Sequence, residues 1–196
     1  MSTSVVVVSD TPVPQKARAV PPQLWRAVES ADMVVHAGDW TGVPLLDEFE
    51  ARSRLVVGVW GNNDGDDVRA RLPEVVDTTV DGVRLVVVHE TGQKEARETR
   101  LDRLHPGVAL LVFGHSHIPW DTTTPGGMRL LNPGSPTERR RQPFPTYLTL
   151  TLDAGEVRDV VLHDLPVPTP RRRGGLPPAR GSRGPDEVVP HPRRRD

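Results

Sequence analysis

Short apolar runs rich in Val and Leu recur along the chain, at Val5–Val8, Met33–Val35, Leu55–Val59, Leu85–Val88 and Val108–Phe113. Each is closed by Gly, Asp, Asn or His. Continuous runs of this length, rather than alternating ones, suit strands buried on both faces. Segments with helical spacing lie between the first three. Pro21-Pro22 opens one that places Leu24, Trp25 and Val28 on a single face, with proline at the helix start, where its missing N–H costs nothing. Pro44 opens a second that carries Leu45, Leu46 and Phe49, and Asp66 or Asp67 caps a short third that ends before Pro73.

The second half has a different rhythm. Asp81-Gly82 is a hairpin signal between Val75–Val80 and Val83–Val88. Pro125-Gly126-Gly127 turns between Trp120–Thr123 and Met128–Leu131, and Ala154-Gly155 turns between Tyr147–Leu152 and Val157–Leu162. Strand–helix–strand units therefore come first and hairpins follow. This predicts an α/β fold with two mixed sheets packed face to face and helices outside. No internal repeat is present.

Composition changes this picture at one end only. A chain of 196 residues accommodates one substantial domain with a little left over. From Pro166 to Asp196 there are eight Pro and eight Arg, three acids and no aromatic residue. Such a segment buries too little apolar surface to offset the entropy of ordering it. The expected division is a folded domain over 1–165 and a disordered, Pro/Arg-rich tail over 166–196. The tail carries +5, so the formal net charge of −1 leaves −6 on the remainder. An acidic body does not indicate nucleic-acid binding, and a solvated tail is the plainer reading of the Arg clusters. With no Cys, disulfides, thiolate metal sites and a Cys nucleophile are excluded. Neither a signal peptide nor an apolar stretch of membrane-spanning length is apparent, so the expected location is cytoplasmic, with no membrane partner. Oligomeric state is not legible.

The chemistry sits where the apolar runs stop. Five of them end in potential metal ligands: Ser9-Asp10-Thr11, Gly38-Asp39, Gly61-Asn62-Asn63-Asp64, His89-Glu90 and Gly114-His115-Ser116-His117. Ligands bind α/β sheets outside the carboxyl ends of the strands, and mixed carboxylate, amide and imidazole donors suit a transition metal. Taken singly, each piece has a plainer reading. An Asp after a strand is more often a turn or helix cap, and a lone His after an apolar run is as often a satisfied core residue. The ordered set of five is the specific signal.

That order resembles the calcineurin-like metallophosphoesterases, whose signature is Asp-x-His, Gly-Asp, Gly-Asn-[His/Cys]-[Asp/Glu], His and Gly-His-x-His. Asn132-Pro133-Gly134-Ser135 is similar to a tetrapeptide of the small YfcE-like phosphodiesterase branch. The resemblance runs from about Val5 to Leu165 and implies a four-layer αββα sandwich. It also implies a dinuclear centre in which Asp39 bridges two divalent transition-metal ions. Asp10 and His117 would complete one site, and Asn62, His89 and His115 the other. Mn²⁺ is the first expectation for the metal, with Zn²⁺, Fe²⁺ or Ni²⁺ as alternatives. In such a centre a metal-bridging hydroxide attacks the phosphorus of a small phosphate ester. Asn63 and Asp64 are then expected as catalytic residues, and Asn63 and Ser116 as substrate contacts.

The chain departs from the family at three places. Pro12 stands where the signature has His and cannot coordinate a metal, which weakens the Asp10–His117 site. Asn63 stands for His or Cys; an amide donates hydrogen bonds but is no general acid near neutral pH. Glu90-Thr91 follows His89 where many relatives continue Gly-His. The resulting expectation is a phosphodiesterase or phosphomonoesterase with one weakened metal site. The alternative is a catalytically impaired member of the fold that acts as a protein-binding scaffold, as does the retromer subunit related to this family. Outside the signature, His36 is expected to pack beneath the site and His105 to be exposed. Arg139–Arg141 reads first as a solvated turn and second as a phosphate contact. Trp40, Trp60 and Trp120 read equally as core or as an aromatic wall for a leaving group.

Overall fold

The four valines at the end of the first strand divide by face. Val5 and Val7 point into one apolar cluster, and Val6 and Val8 into another. Alternate side chains of a strand point to opposite faces, so both faces of this strand are covered. The computed structural model describes residues 2–167; the expected tail lies outside the described residues, apart from Pro166 and Val167.

The elements run β1 (Ser2–Val8), α1 (Pro22–Ser30), β2 (Met33–His36), α2 (Val43–Arg52), β3 (Val56–Gly58), α3 (Asp66–Arg69), β4 (Val75–Val80) and β5 (Val83–Val88). There follow α4 (Arg97–Leu104), β6 (Leu110–Val112), β7 (Trp120–Thr123), β8 (Arg129–Asn132), β9 (Thr146–Asp153) and β10 (Glu156–Asp164). One five-stranded sheet has the order β10-β9-β1-β2-β3 and the other β4-β5-β6-β8-β7. Each contains three adjacent parallel strands, β1-β2-β3 in one and β5-β6-β8 in the other, with antiparallel strands at the flanks. The two mixed sheets and the flanking helices agree with the predicted α/β sandwich.

Three cores separate four layers. Between the sheets, Val5, Val7, Met33 and Val35 meet Leu85, Val87, Leu110 and Val112. Outside the first sheet, Val6, Val8 and Val34 pack on Leu24, Trp25 and Val28 of α1 and on Leu45, Leu46 and Phe49 of α2. Outside the second, Val86, Leu111 and Leu130 pack on Leu101 of α4 and on Phe113. Full burial of one such Leu, Val or Phe side chain contributes about 1.5–3 kcal/mol, so the sandwich rests on hydrophobic contact across all three interfaces. Proline starts both larger helices as expected, at the first turn of α1 and of α2.

Helix α4 is the one helix that sequence reading left out. Its sequence, RETRLDRL, is charged almost throughout and Leu101 is its only fully covered apolar residue, so no apolar stripe announces it. His105, expected to be exposed, is the C-terminal cap of α4 and half-buried. No helix among the described residues is long and apolar enough to cross a membrane.

Leu165 is buried and its N–H donates to the Pro145 carbonyl at 2.8 Å, so the packed chain extends at least that far. Removing residues 168–196 should shift the thermal midpoint by no more than ~2 °C. A larger loss, measured by circular dichroism or calorimetry, would show that the tail contributes to the core.

Candidate metal centre

All six parallel strands point their carboxyl ends at one crevice. Asp10 follows β1, Asp39 follows β2, Asn62 and Asn63 follow β3, His89 follows β5, and His115 and His117 follow β6. β8 ends at Asn132, and Pro133-Gly134-Ser135 open the loop after it. Four of these residues adopt the left-handed backbone region, Asp10 (φ 55°), Asp39 (φ 61°), His115 (φ 68°) and His117 (φ 57°). Such conformations are uncommon for non-glycine residues, cost on the order of 1 kcal/mol or more each and concentrate at functional sites.

Main-chain hydrogen bonds between neighbouring loops of the same sheet hold them. Asp10 N–H donates to Gly38 O at 2.9 Å, Thr11 N–H to Asp39 O at 2.9 Å, and Gly114 N–H to His89 O at 2.9 Å. The loops approach so closely that two glycines are required. A Cβ at Gly114 would lie 2.8 Å from Ser9 Cβ and 2.9 Å from Ala37 O, and one at Gly61 would lie 2.5 Å from Asp39 N.

The six expected ligands meet at the crevice in two sets of close contacts, with Asp39 beside His89 and near Asp10. In the first, Asp10 Oδ1 faces His117 Nε2 at 3.1 Å. In the second, Asn62 Oδ1 lies 3.0 Å from His89 Nε2 and 2.8 Å from His115 Nδ1. Asp39 Oδ1 is 3.4 Å from His89 Nε2, and ligand atoms of Asp10, Asp39 and His89 all lie within 4.8 Å of one another. His89 Nδ1 donates to Ala37 O at 2.7 Å and His117 Nδ1 to Glu138 O at 2.6 Å. Carbonyl acceptors at Nδ1 leave each Nε2 lone pair directed at the crevice, the tautomer a metal ligand needs.

The test of fit is Asp10. Its Oδ2 accepts from Ser9 Oγ at 2.7 Å and from His115 N–H at 2.9 Å. Its Oδ1 is buried and faces His117 Nε2; with the Nδ1–H of that ring given to Glu138 O, the neutral imidazole turns a lone pair to Oδ1, which is then left without a donor among the described residues. A buried carboxylate oxygen left so is costly unless a cation satisfies it, and the oxygen and imidazole donors around it suit a divalent transition metal.

Burial acts to raise the Asp10 pKa, but the imidazoles of His117 and His89 and the Ser9 hydroxyl outweigh it and hold the carboxyl below its usual range. For His117, burial opposes protonation, and the Asp10 carboxylate with the Glu138 carbonyl reverses this and raises its pKa.

Three other expected site residues sit differently. Asn63 reaches the crevice, where its N–H donates to Asp39 Oδ1 at 2.9 Å and its Nδ2 to Asp39 Oδ2 at 2.6 Å. Asp64 is buried and accepts from the N–H groups of Asp39 (3.0 Å), Thr41 (2.7 Å) and Gly61 (2.8 Å). Burial raises its pKa, with Asp39 adding to the effect and those N–H groups opposing it. Ser116 Oγ accepts from Ile118 N–H at 3.2 Å and from Asn132 Nδ2 at 3.3 Å.

Asn132-Pro133-Gly134-Ser135 acts as a brace, a role its residue types do not announce. Ser135 Oγ donates to Asp10 O at 2.6 Å, Asn132 Nδ2 to Gly114 O at 2.7 Å, and Ser9 Oγ contacts Gly134 O at 2.9 Å. The tetrapeptide thus ties the Asp10 loop to the His115 loop.

His36 lies beneath the site, fully buried and stacked on Trp40 at 3.5 Å. Its Nδ1 accepts from Gly38 N–H at 3.2 Å, so its Nε2–H donates to Thr11 Oγ1 at 3.0 Å. Burial lowers its pKa to about 3, with His89 adding to the effect and Asp10 opposing it. The unfolded chain therefore takes up this proton near pH 6.5 and the folded chain only near pH 3. Between those values acidification removes stability, at ~1.4 kcal/mol per pH unit for this one group. Denaturant melts of metal-stripped protein should show that slope, and His36→Gln should flatten it. An unchanged slope would remove His36 from the acid-sensitive groups.

Trp40 is completely buried and belongs to the core. Trp60 and Trp120 are half-buried and lie under the guanidinium groups of Arg69 and Arg97. A cavity of about 380 Å³ opens on the Asp10–Asp39–His117 side, and Pro12, Lys16, Glu138 and Arg140 also border it. A smaller cleft, about 140 Å³, lies on the Asn62–His89 side beside Trp60, Glu74 and Glu90.

Comparison with known proteins agrees with this geometry. The sequence model described as the calcineurin-like phosphoesterase superfamily domain matches residues 3–155. A protein of Methanothermobacter thermautotrophicus, described as a probable metallophosphoesterase, is 33% identical over 157 residues, covering 78% of this chain and 87% of its own. The solution structure of a Thermotoga maritima protein superposes with a TM-score of 0.66 at 32% identity, over 83% of this chain and 99% of that one. Wild-type Vps29 of Entamoeba histolytica complexed with zinc has the same fold, with a TM-score of 0.64 at 23% identity over 83% of this chain and 99% of that one.

Proposed function

Because this chain belongs to the calcineurin-like phosphoesterase superfamily, we propose that it is a metal-dependent phosphodiesterase whose dinuclear centre is held by Asp10, Asp39, Asn62, His89, His115 and His117. The observation that carries this reading is the buried Asp10 Oδ1 without a donor, set among side chains that all offer lone pairs to the same space. Asp39 would be the shared ligand, with Asp10 and His117 holding one ion and Asn62, His89 and His115 the other. When bound, divalent cations supply Lewis acidity to the phosphoryl oxygens and to an attacking water. Mn²⁺ is our first choice, with Zn²⁺ the next, by analogy with the zinc complex of Entamoeba Vps29.

The remaining groups orient and hold. Asn63 keeps one amide N–H on Asp39 Oδ2 and turns the other toward a phosphoryl oxygen. Being an amide it donates without transferring a proton, so the leaving group departs as an oxyanion or draws its proton from water. This favours esters with good leaving groups. Asp64 is a positioning residue: by accepting three backbone N–H groups it fixes the Asp39 and Gly61 turns. Ser116 belongs with the Asn132 brace rather than with the substrate.

Pro12 favours a second reading, a protein-binding scaffold with a weakened site, because it borders the Asp10 side of the crevice and offers no donor. One experiment separates the two. Metal-stripped protein should not hydrolyse bis(p-nitrophenyl) phosphate, and added Mn²⁺ should restore hydrolysis in step with metal uptake. Uptake of metal without hydrolysis of any diester or monoester would leave the scaffold reading standing.

A further inference from the structure

The cavity on the Asp10 side contains cations that the metal chemistry does not use. Lys16 reaches it from the loop after β1, and Arg140 from the loop that follows the Asn132–Ser135 brace. Lys16 and Arg140 have no ion pair among the described residues. Arg140 makes a single long contact, Nη1 to His115 O at 3.4 Å. Its backbone is left-handed (φ 48°), a conformation a bulky side chain adopts only when its surroundings impose it. Its charge bears on the His117 imidazole.

Two unpaired cations at the mouth of a site on an acidic body form a local field for anions. Metal ions would neutralise Asp10 and Asp39, and Glu138 is then the only uncompensated carboxylate of this cavity. The opposite cleft is the reverse: Glu74 and Glu90 border it and no Lys or Arg does. The site is therefore polarised, with the cationic side at Lys16 and Arg140 and the anionic side at Glu74 and Glu90.

We infer that Lys16 and Arg140 form an anion subsite that selects phosphodiesters bearing a second phosphate on the arm that lies over the Asp10 side. This rests on the phosphodiesterase reading and adds the substrate class to it. A cavity of about 380 Å³ lies within the usual size range of small-ligand sites. Gln15 and Thr41, which also border it, supply neutral hydrogen-bonding groups beside the two charges.

The test uses two substrates that differ by one phosphate, thymidine 5′-(p-nitrophenyl phosphate) and its 3′-phosphorylated form, with Mn²⁺-loaded full-length protein at low ionic strength. The 3′-phosphate should raise kcat/KM about 10-fold, mainly through KM, the size expected of two partly exposed charge-assisted contacts. In the Lys16→Gln/Arg140→Gln double variant the ratio of the two substrates should fall to within about 2-fold, and Lys16→Arg/Arg140→Lys should restore it. A purely structural role would lower both substrates together and leave the ratio intact.

Calorimetric binding of thymidine 3′,5′-bisphosphate to the same metal-loaded proteins reads the subsite without turnover; the double variant should bind it about 10-fold more weakly. Activity without a preference in the wild type, or a preference that survives the double substitution, would overturn the subsite. Absence of hydrolysis with bisphosphate binding that depends on Lys16 and Arg140 would overturn only the phosphodiesterase reading. Absence of hydrolysis with equal binding to wild type and double variant would overturn both.

Discussion

Asp39→Asn is expected to empty both metal positions together and to lower phosphodiesterase kcat/KM by more than about 100-fold, since even partners that merely orient ligands are worth 10–100-fold. Asp39 occupies the junction of the two ligand groups, facing His89 on one side and lying within 4.8 Å of a ligand atom of Asp10 on the other. Asparagine is the informative replacement because residue 39 is left-handed (φ 61°), a region Asn tolerates and Ala does not. Asp39→Ala would add ~1–2 kcal/mol of backbone strain and confuse folding with metal loss. The neighbouring Asn63 amide can rotate to meet the new side chain, and Asp64 still accepts the main-chain N–H of residue 39. His89→Ala is the contrast: it should release only the ion shared with Asn62 and His115. Metal analysis of the three proteins decides the matter, and a wild-type metal content in Asp39→Asn would remove the bridge.

The layout of the fold was legible because its strands are short, apolar and sharply punctuated. A run such as Val5–Val8, covered on both faces, announces itself by having no polar alternation. The two proline-started helices and the three hairpin turns carry local signals that tertiary packing does not contradict. Helix α4 was not legible because it buries little apolar surface and its position is set by the sheet it covers.

The same contrast holds at the site. Ligands could be found because each stands at the end of an apolar run. The groups that orient them could not, since many are backbone atoms: Ala37 O and Glu138 O fix the imidazoles and Gly114 O anchors Asn132. Main-chain acceptors leave no trace in residue identity. Lys16 and Arg140 lie 124 positions apart in the chain, and only the folded loops bring both to one cavity.

Pro12→His is expected to tighten the weaker metal equivalent by at least about 10-fold and to raise diester turnover. The position is right for a ligand: residue 12 borders the same cavity as Asp10, Asp39 and His117. The loop is held by main-chain atoms that any residue provides, with Pro12 O accepting from Lys16 N–H at 2.9 Å and Ala17 N–H at 3.2 Å, and Thr11 O accepting from Val13 N–H at 2.7 Å. The substitution therefore adds an imidazole donor without breaking a hydrogen bond. Pro12 is buried, so the larger ring has to turn into the cavity that the residue borders, where the new N–H must also find water, and the unfolded chain regains ~0.4–1 kcal/mol of conformational freedom when the proline ring is lost. Metal-stripped Pro12→His should accordingly melt slightly lower than the wild type, while the Mn²⁺-loaded form melts higher, because binding to the folded state alone adds stability by mass action. Pro12→Ala separates the two effects. It frees the loop equally and supplies no donor, so it should melt lower without gaining metal affinity. Mn²⁺ titrations of the three proteins, with hydrolysis of bis(p-nitrophenyl) phosphate alongside, give the answer. Two equivalents of similar affinity in the wild type, unchanged by histidine at position 12, would mean that the Asp10–His117 position is complete without it and that Pro12 weakens nothing.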